Sequence, residues 1–234
     1  MNKILYVFDI DGTLTPSRQK IDSEFCAWFN YYFEDKSYCL VTGSDMKKVR
    51  EQLTEKIISR ADVVFACSGN YIYAKGKVLK VNEFHPHPDL IAKLSNYIKN
   101  SKWKIKTGNH LEPRNGLLNF SVVGRNCTDE QRKQYYEWDK SNKERKNICR
   151  KLAKKFPDLC FEIGGEISID IYPKGKDKAQ ILQYISDYTI YFFGDGIEPG
   201  RNDWSLAQAL TGDSRSFKVK DWQDTKRILT ELDN

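Results

Sequence analysis

Apolar positions along the chain follow two different rhythms. The first run, over residues 4–8, is short and uninterrupted and stops at Asp9 and Asp11, the form of a strand buried on both faces. The spacing then predicts a helix over 21–33, a strand at 38–41, a helix over 45–58 and a strand at 62–66. Residues 71–73 and 77–81 flank Lys75-Gly76 and read as a hairpin. The same alternation returns late in the chain: helix 176–188, strand 189–193, helix 201–210, strand 216–219 and helix 221–232. Strand–helix–strand order with short connections predicts a parallel sheet covered on both faces.

Between these halves the pattern changes. His85, Pro86 and Pro88 mark a boundary, followed by a helix over 89–101 and a strand-like stretch at 116–123. A long helix over 128–155 and two alternating strands, 159–163 and 166–172, complete this middle part. The expected organisation is an α/β Rossmann-like core from residues 1–81 and 175–234, with an inserted α+β domain over 82–174. There are no internal repeats or low-complexity tracts.

Composition narrows the class. With 30% charged and 40% hydrophobic residues the chain is ordinary for a soluble protein, and it has no run of 18 apolar residues. The first apolar stretch is too short, and too soon interrupted by aspartates, for a secretory signal. A cytoplasmic protein with no membrane partner is expected. The six cysteines contain no C-x-x-C pair, so they read as small buried residues in a reducing compartment rather than as a zinc or redox centre. The net charge of +6 is concentrated in residues 82–174, which hold 18 basic and 12 acidic residues, while the remainder balances at 20 each. An anionic partner for the middle part explains that surplus; a solvated helix face explains the lysines of 140–155 equally well. No nucleic-acid partner is expected, because basic residues are not interleaved with exposed aromatics in any recognised module.

The chemistry begins where the first strand ends. Side chains two apart on extended backbone point the same way, so Asp9 and Asp11 converge at a sheet edge where ligands of open α/β sheets gather. Two carboxylates about 4 Å apart repel by roughly 4 kcal/mol at an effective dielectric near 20. A divalent cation relieves that, and Mg²⁺ prefers one or two carboxylates plus a substrate phosphate. A calcium loop is excluded by the absence of the further spaced acids it requires.

The longer signature Phe-Asp-Ile-Asp-Gly-Thr-Leu-Thr, residues 8–15, resembles the haloacid dehalogenase superfamily. Its other expected parts follow in order: Thr42 or Ser44 after the next strand, Lys178 opening a late helix, and the acidic loop at Asp195 continuing to Asp203. The resemblance implies that Asp9 is the phosphorylated nucleophile and Asp11 the general acid and base. It further implies that Lys178 neutralises the transferring phosphoryl group, that Ser44 or Thr42 hydrogen-bonds it, and that Asp9, the backbone carbonyl of Asp11, Asp195 and Asp203 hold Mg²⁺.

Across nearly its whole length the chain resembles the eukaryotic-type phosphomannomutases. The motifs are residues 11–20, 43–53 and 192–195, and within the middle part Glu-Pro-Arg-Asn-Gly-Leu-Leu-Asn-Phe-Ser (112–121), Val-Gly-Arg-Asn-Cys (123–127) and Gly-Gly-Glu-Ile-Ser-Ile-Asp (164–170). This family implies a cap domain over 82–174 in which Arg114, Arg125 and Arg132 clamp the substrate's non-reacting phosphate, a task suited to the arginine fork. Ser168 and Asp170, two apart on a strand, face one side and suit sugar hydroxyls; Gly164-Gly165 alone reads equally as a turn. Arg18 is expected to contact substrate from the core. The implied reaction interconverts mannose 6-phosphate and mannose 1-phosphate through an aspartyl phosphate, with a hexose 1,6-bisphosphate as intermediate and activator and a homodimer joined through the caps. The alternatives are a Mg²⁺-dependent sugar-phosphate phosphatase using the same aspartates, and a non-catalytic sugar-phosphate sensor. Three stretches depart from the family pattern: Cys67-Ser68-Gly69, Thr42, and Gly196 to Arg201.

Overall fold

The computed structural model describes residues 3–233. The chain divides into two compact units, one formed by the segments up to Asn82 and from Gly175 onward, the other by Glu83–Lys174.

The first unit opens with β1 (Ile4–Phe8), α1 (Ser23–Tyr32), β2 (Tyr38–Val41), α2 (Met46–Gln52), α3 (Glu55–Arg60), β3 (Val63–Ala66) and the hairpin β4 (Tyr71–Ala74) and β5 (Lys77–Val81). The second unit runs α4 (Pro88–Asn100), β6 (Leu111–Arg114), β7 (Leu117–Ser121), α5 (Asp129–Asn142), α6 (Glu144–Lys155), β8 (Leu159–Gly164) and β9 (Ser168–Pro173). The chain then re-enters the first unit through a 3₁₀ turn (Lys178–Ile181), α7 (Leu182–Ile185), β10 (Thr189–Gly194), α8 (Trp204–Ala209), β11 (Arg215–Lys218) and α9 (Trp222–Leu232).

In the first unit the sheet order is β11-β10-β1-β2-β3-β4-β5, parallel from β11 to β3 and antiparallel through the hairpin. The continuous apolar run of β1 follows from its central place. Leu5 and Val7 pack on one face with Ile181, Ile185 and Leu206, and Tyr6 and Phe8 on the other with Phe25, Phe29, Phe33 and Leu229. Each such buried side chain stabilises the fold by about 1.5–3 kcal/mol. The carboxyl ends of β1, β2 and β10 thereby lie side by side.

The second unit holds a four-stranded antiparallel sheet in the order β6-β7-β9-β8. Leu118, Phe120, Ile169 and Ile171 pack with Leu90, Leu94, Tyr135, Ile148 and Leu152 from the helices. Alternate positions on β7 and β9 carry Asn119, Ser121, Ser168 and Asp170, with Asn119 opposite Asp170 and Ser121 opposite Ser168. The strand period of two thus gives an apolar helix-facing side and a polar side.

Several elements differ from the sequence expectation. The helix expected over 45–58 breaks at Leu53 and Thr54, both extended, because the Gln52 carbonyl accepts from Ile21 N at 2.8 Å instead of continuing the helix. The helix expected over 128–155 is two helices, turned apart at Lys143 with φ 54°; buried Asp139 takes the Arg145 N–H at the start of α6. Residues 176–188 form only the 3₁₀ turn and the single turn of α7, and helix 201–210 shortens to Trp204–Ala209. The sequence pattern missed β6, a short strand at the sheet edge where Pro113 is tolerated. No disulfide joins the cysteines among the described residues; Cys39 and Cys67 are buried and the others half-buried. Among the described residues no helix is long and apolar enough to cross a membrane.

Candidate active site

The ladder of β1 runs out at Asp9, whose N–H donates to the Phe193 carbonyl at 2.9 Å. Its carboxylate, 2% exposed, meets the Lys178 ammonium at 2.6 Å, and the same ammonium lies 2.5 Å from Asp203 Oδ1. Lys178 comes from the 3₁₀ turn, whose start is capped by Asp177 accepting from Ala179 N. Asp203, just before α8, also accepts from Gly196 N at 3.0 Å. Two glycines permit this convergence. A Cβ on Gly194 would lie 2.6 Å from Asp203 Oδ2, and one on Gly12, at φ +78°, would lie 2.9 Å from Asp195 Cγ.

Oxygens of Asp9, Asp195 and Asp203 come within 4.8 Å of one another. Burial raises the Asp9 carboxyl well above its ordinary range, and the Asp203 charge adds to this against the pull of Lys178. Asp195 is raised as well, by burial first and then by Asp203. For Lys178, burial opposes the charge, but Asp203 and Asp9 outweigh it and hold the ammonium protonated. Three acids against one buried lysine leave negative charge in surplus. Asp9 Oδ2 is itself buried and has no hydrogen-bond partner among the described residues. An all-oxygen cluster with surplus charge and an orphaned oxygen fits a hard divalent cation such as Mg²⁺.

The Asp11 side chain turns elsewhere. It accepts from Arg18 N at 2.6 Å, Gln52 Nε2 at 2.9 Å and Ser44 Oγ at 3.4 Å. Its carboxylate is not one of the three whose oxygens cluster. The exposed Arg18 touches Asp11 through its backbone, at φ 62°. Thr42, buried, accepts from Ser44 N at 3.0 Å, so Thr42 braces the loop while the Ser44 hydroxyl reaches the site. The run Cys67-Ser68-Gly69, left-handed at all three positions, holds that loop from behind: Cys67 N donates to Ser44 O at 2.8 Å and Ser68 N to Thr42 O at 2.7 Å. Sequence reasoning passed over Gln52, although it is the buried polar residue closing an otherwise apolar helix face.

A second constellation occupies the polar side of the sheet in the second unit. Arg114 and Arg125 share the Glu112 carboxylate, at 2.6 and 3.3 Å, and Arg125 also donates to Ser168 Oγ at 3.2 Å. Asp170 accepts from Asn119 Nδ2 at 2.5 Å. Burial raises its carboxyl, with Arg114 and then Asn119 working against the rise. Arg132 pairs with Glu166 at 3.8 Å on the turn between β8 and β9, which begins at Gly165 after the strand's last residue, Gly164. Only the register across three strands shows that Glu112 and Asn119 share a face with Ser168 and Asp170.

Residues 32–234 match the family model described as eukaryotic phosphomannomutase. The chain belongs to the eukaryotic phosphomannomutase family. Among its phosphomannomutase relatives, the one from Drosophila melanogaster is 35% identical, with 99% of this chain and 96% of the relative aligned. Human phosphomannomutase 1 is 38% identical over 87% of this chain and 83% of its own length. The family match begins after the Asp9 and Asp11 segment, whereas the Drosophila alignment covers 99% of this chain. Solved structures support the fold. A Streptococcus mutans protein superposes with TM-score 0.67 at 16% identity, covering 97% of this chain and 98% of that one. The C-terminal domain of Candida albicans trehalose-6-phosphate phosphatase gives 0.63 at 16%, covering 99% and 91%. This phosphomannomutase-family chain thus has a haloacid-dehalogenase-type core with a parallel sheet.

Proposed function

We propose that the chain is a phosphomannomutase, interconverting mannose 6-phosphate and mannose 1-phosphate, with Asp9 as its phosphorylated residue. The observation that carries this is the orphaned, buried Oδ2 of Asp9 beside the bridging ammonium of Lys178. One oxygen of Asp9 is held by lysine and the other is left to act.

In this reading Asp9 attacks phosphorus and an Asp9–phosphate bond forms as the bond to the sugar oxygen breaks. Asp11 gives that oxygen its proton. In the reverse direction Asp11 takes the proton from an attacking sugar hydroxyl while the phosphoryl group leaves Asp9. Transfer to a hexose monophosphate makes the 1,6-bisphosphate; transfer back from its other phosphate completes the isomerisation. Gln52 and the Arg18 N–H orient Asp11, and Ser44, hydrogen-bonded to Asp11, is the better placed of the two hydroxyl candidates to reach the phosphoryl group. Lys178 offsets the charge gathering on the equatorial oxygens. Asp9, Asp195, Asp203 and the Asp11 carbonyl would hold Mg²⁺, which would supply further charge neutralisation at the phosphoryl oxygens. Arg114 and Arg125, with Arg132 nearby in sequence, suit the non-reacting phosphate; Ser168 and Asp170 suit sugar hydroxyls. A hexose 1,6-bisphosphate activator, a homodimer formed through the inserted unit and a cytoplasmic location belong to the same reading.

Phosphorus NMR tests it. With mannose 6-phosphate, Mg²⁺ and a trace of hexose 1,6-bisphosphate, the 1-phosphate resonance is expected to grow in. Inorganic phosphate as the only product would replace this reading with a phosphatase, and no turnover at all with a sugar-phosphate sensor.

A further inference from the structure

Asp195 has a partner of its own. Arg201 Nη2 lies 3.1 Å from Asp195 Oδ2. The loop between β10 and α8 folds back to make this contact: Arg201 N donates to Glu198 O at 3.0 Å, and Asp203 N to Gly196 O at 3.1 Å. A Cβ on Gly196 would stand 2.6 Å from Asn202 Oδ1 and 3.3 Å from both Arg201 Cβ and Nε, so the bare backbone there lets Arg201 and Asn202 pack against it. Glu198 is in turn tied to Lys218 at the end of β11. The guanidinium is thus presented to Asp195 by backbone bonds at both ends of the loop.

Charges around the acidic cluster divide unequally. Lys178 is already shared between Asp9 and Asp203. Arg201 donates to Asp195 at 3.1 Å. A guanidinium stays charged at any working pH and has no lone pair for a metal. It can therefore occupy an acidic ligand but never complete a coordination shell. Its side chain is 56% exposed, so it can swing out into water when a stronger cation arrives.

We propose that Arg201 is an internal competitor for the divalent cation: it holds Asp195 in the metal-free protein and must release it when the ion binds. This rests on the reading that Asp9, Asp195 and Asp203 form the Mg²⁺ site. Arg201 then sets how tightly the ion is held and stabilises the metal-free cluster.

Binding of Mn²⁺, followed by the electron paramagnetic resonance of the free ion, tests this without turnover. Arg201→Ala and Arg201→Gln are each expected to bind about two- to fivefold more tightly than the natural chain, the order for removing one exposed ion-pair partner. In chelator both variants are expected to melt at a lower temperature than the natural chain, and in saturating Mn²⁺ at the same temperature or higher. Equal or weaker affinity in both variants, with saturable binding in the natural chain, overturns the role of Arg201 and leaves the metal site standing. Absence of saturable binding in all three proteins overturns the metal site as well.

Discussion

Each unit of the molecule buries a cation against carboxylates, and the two arrangements are built differently. In the core, Lys178 is 1% exposed and bonds both Asp9 and Asp203. In the inserted unit, Arg145 is 4% exposed and bonds Asp139, itself 6% exposed. The second set is closed. Asp139 accepts from Arg145 N at 2.9 Å and Nε at 2.7 Å, and Arg145 Nη1 donates to the Gly165 carbonyl at 2.8 Å and to that of Ser168 at 3.4 Å. The first set is open, with a third acid close by and one oxygen of Asp9 unpartnered. A buried charge whose bonds are all made within the chain is architecture: this one ties the helix break at Lys143 to the turn carrying Ser168. One left with charge in surplus is prepared for something from outside.

The largest expected effect separates these roles directly. Asp9→Asn removes the attacking oxygen, and the rate of phosphoryl transfer is expected to fall by about a thousandfold or more. Stability is expected to stay level or rise, because Asp9 carries a desolvated charge and Lys178 keeps Asp203. Phosphorus NMR and urea unfolding on the same sample check both halves. A variant that keeps more than a few per cent of activity removes Asp9 from its place as nucleophile; one that unfolds would make the core set structural like its counterpart.

The closed set should answer in the opposite way. Arg145→Met leaves Asp139 buried beside no charge and is expected to cost about 3–5 kcal/mol of stability, read from the urea midpoint. Replacing both partners, Asp139→Leu with Arg145→Met, is expected to recover most of that loss, since a hydrophobic pair often substitutes for a buried ion pair. Recovery that fails would mean that the bonds to Gly165 and Ser168 matter more than the charge pair.

Much of the core was legible in the sequence because its signals are local. The continuous apolar run of β1 announces a strand buried on both faces, and Asp9, Lys178, Asp195 and Asp203 each sit next to a strand end or helix start that the pattern marks. The structure brings Asp9, Lys178, Asp195 and Asp203 together. What escaped depends on register or tertiary capping. Glu112 and Asn119 join Asp170 only through pairing across three strands. The break at Lys143 carries no glycine or proline; it is set by Asp139 six residues before Arg145, a contact invisible to periodicity. Gln52 reaches Asp11 from a helix end and Arg201 reaches Asp195 from a loop, where spacing says nothing about direction. Arg132 pairs with Glu166, whereas Arg114 and Arg125 share Glu112.

The smallest effect concerns the carboxylate on which the two units resemble each other most. Burial raises Asp170 above the ordinary value of 3.8, with Glu112 adding to the rise and Arg114, Asn119 and Arg125 resisting it. An acid with a raised folded value binds its proton more tightly when folded. Its contribution to stability is therefore full below the ordinary value and is lost as pH climbs through the raised one. Asp170→Asn keeps the position neutral, so the fall in urea midpoint between pH 4 and pH 7 is expected to be shallower in the variant. Equal falls in the two proteins would show that the arginines cancel the cost of burial. Magnesium sharpens the contrast between the units. It should offset the surplus charge around Asp9 and flatten the share of the slope that belongs to the core. The share removed by Asp170→Asn should be the same with the ion or without it, because that carboxylate is satisfied by neighbours of its own.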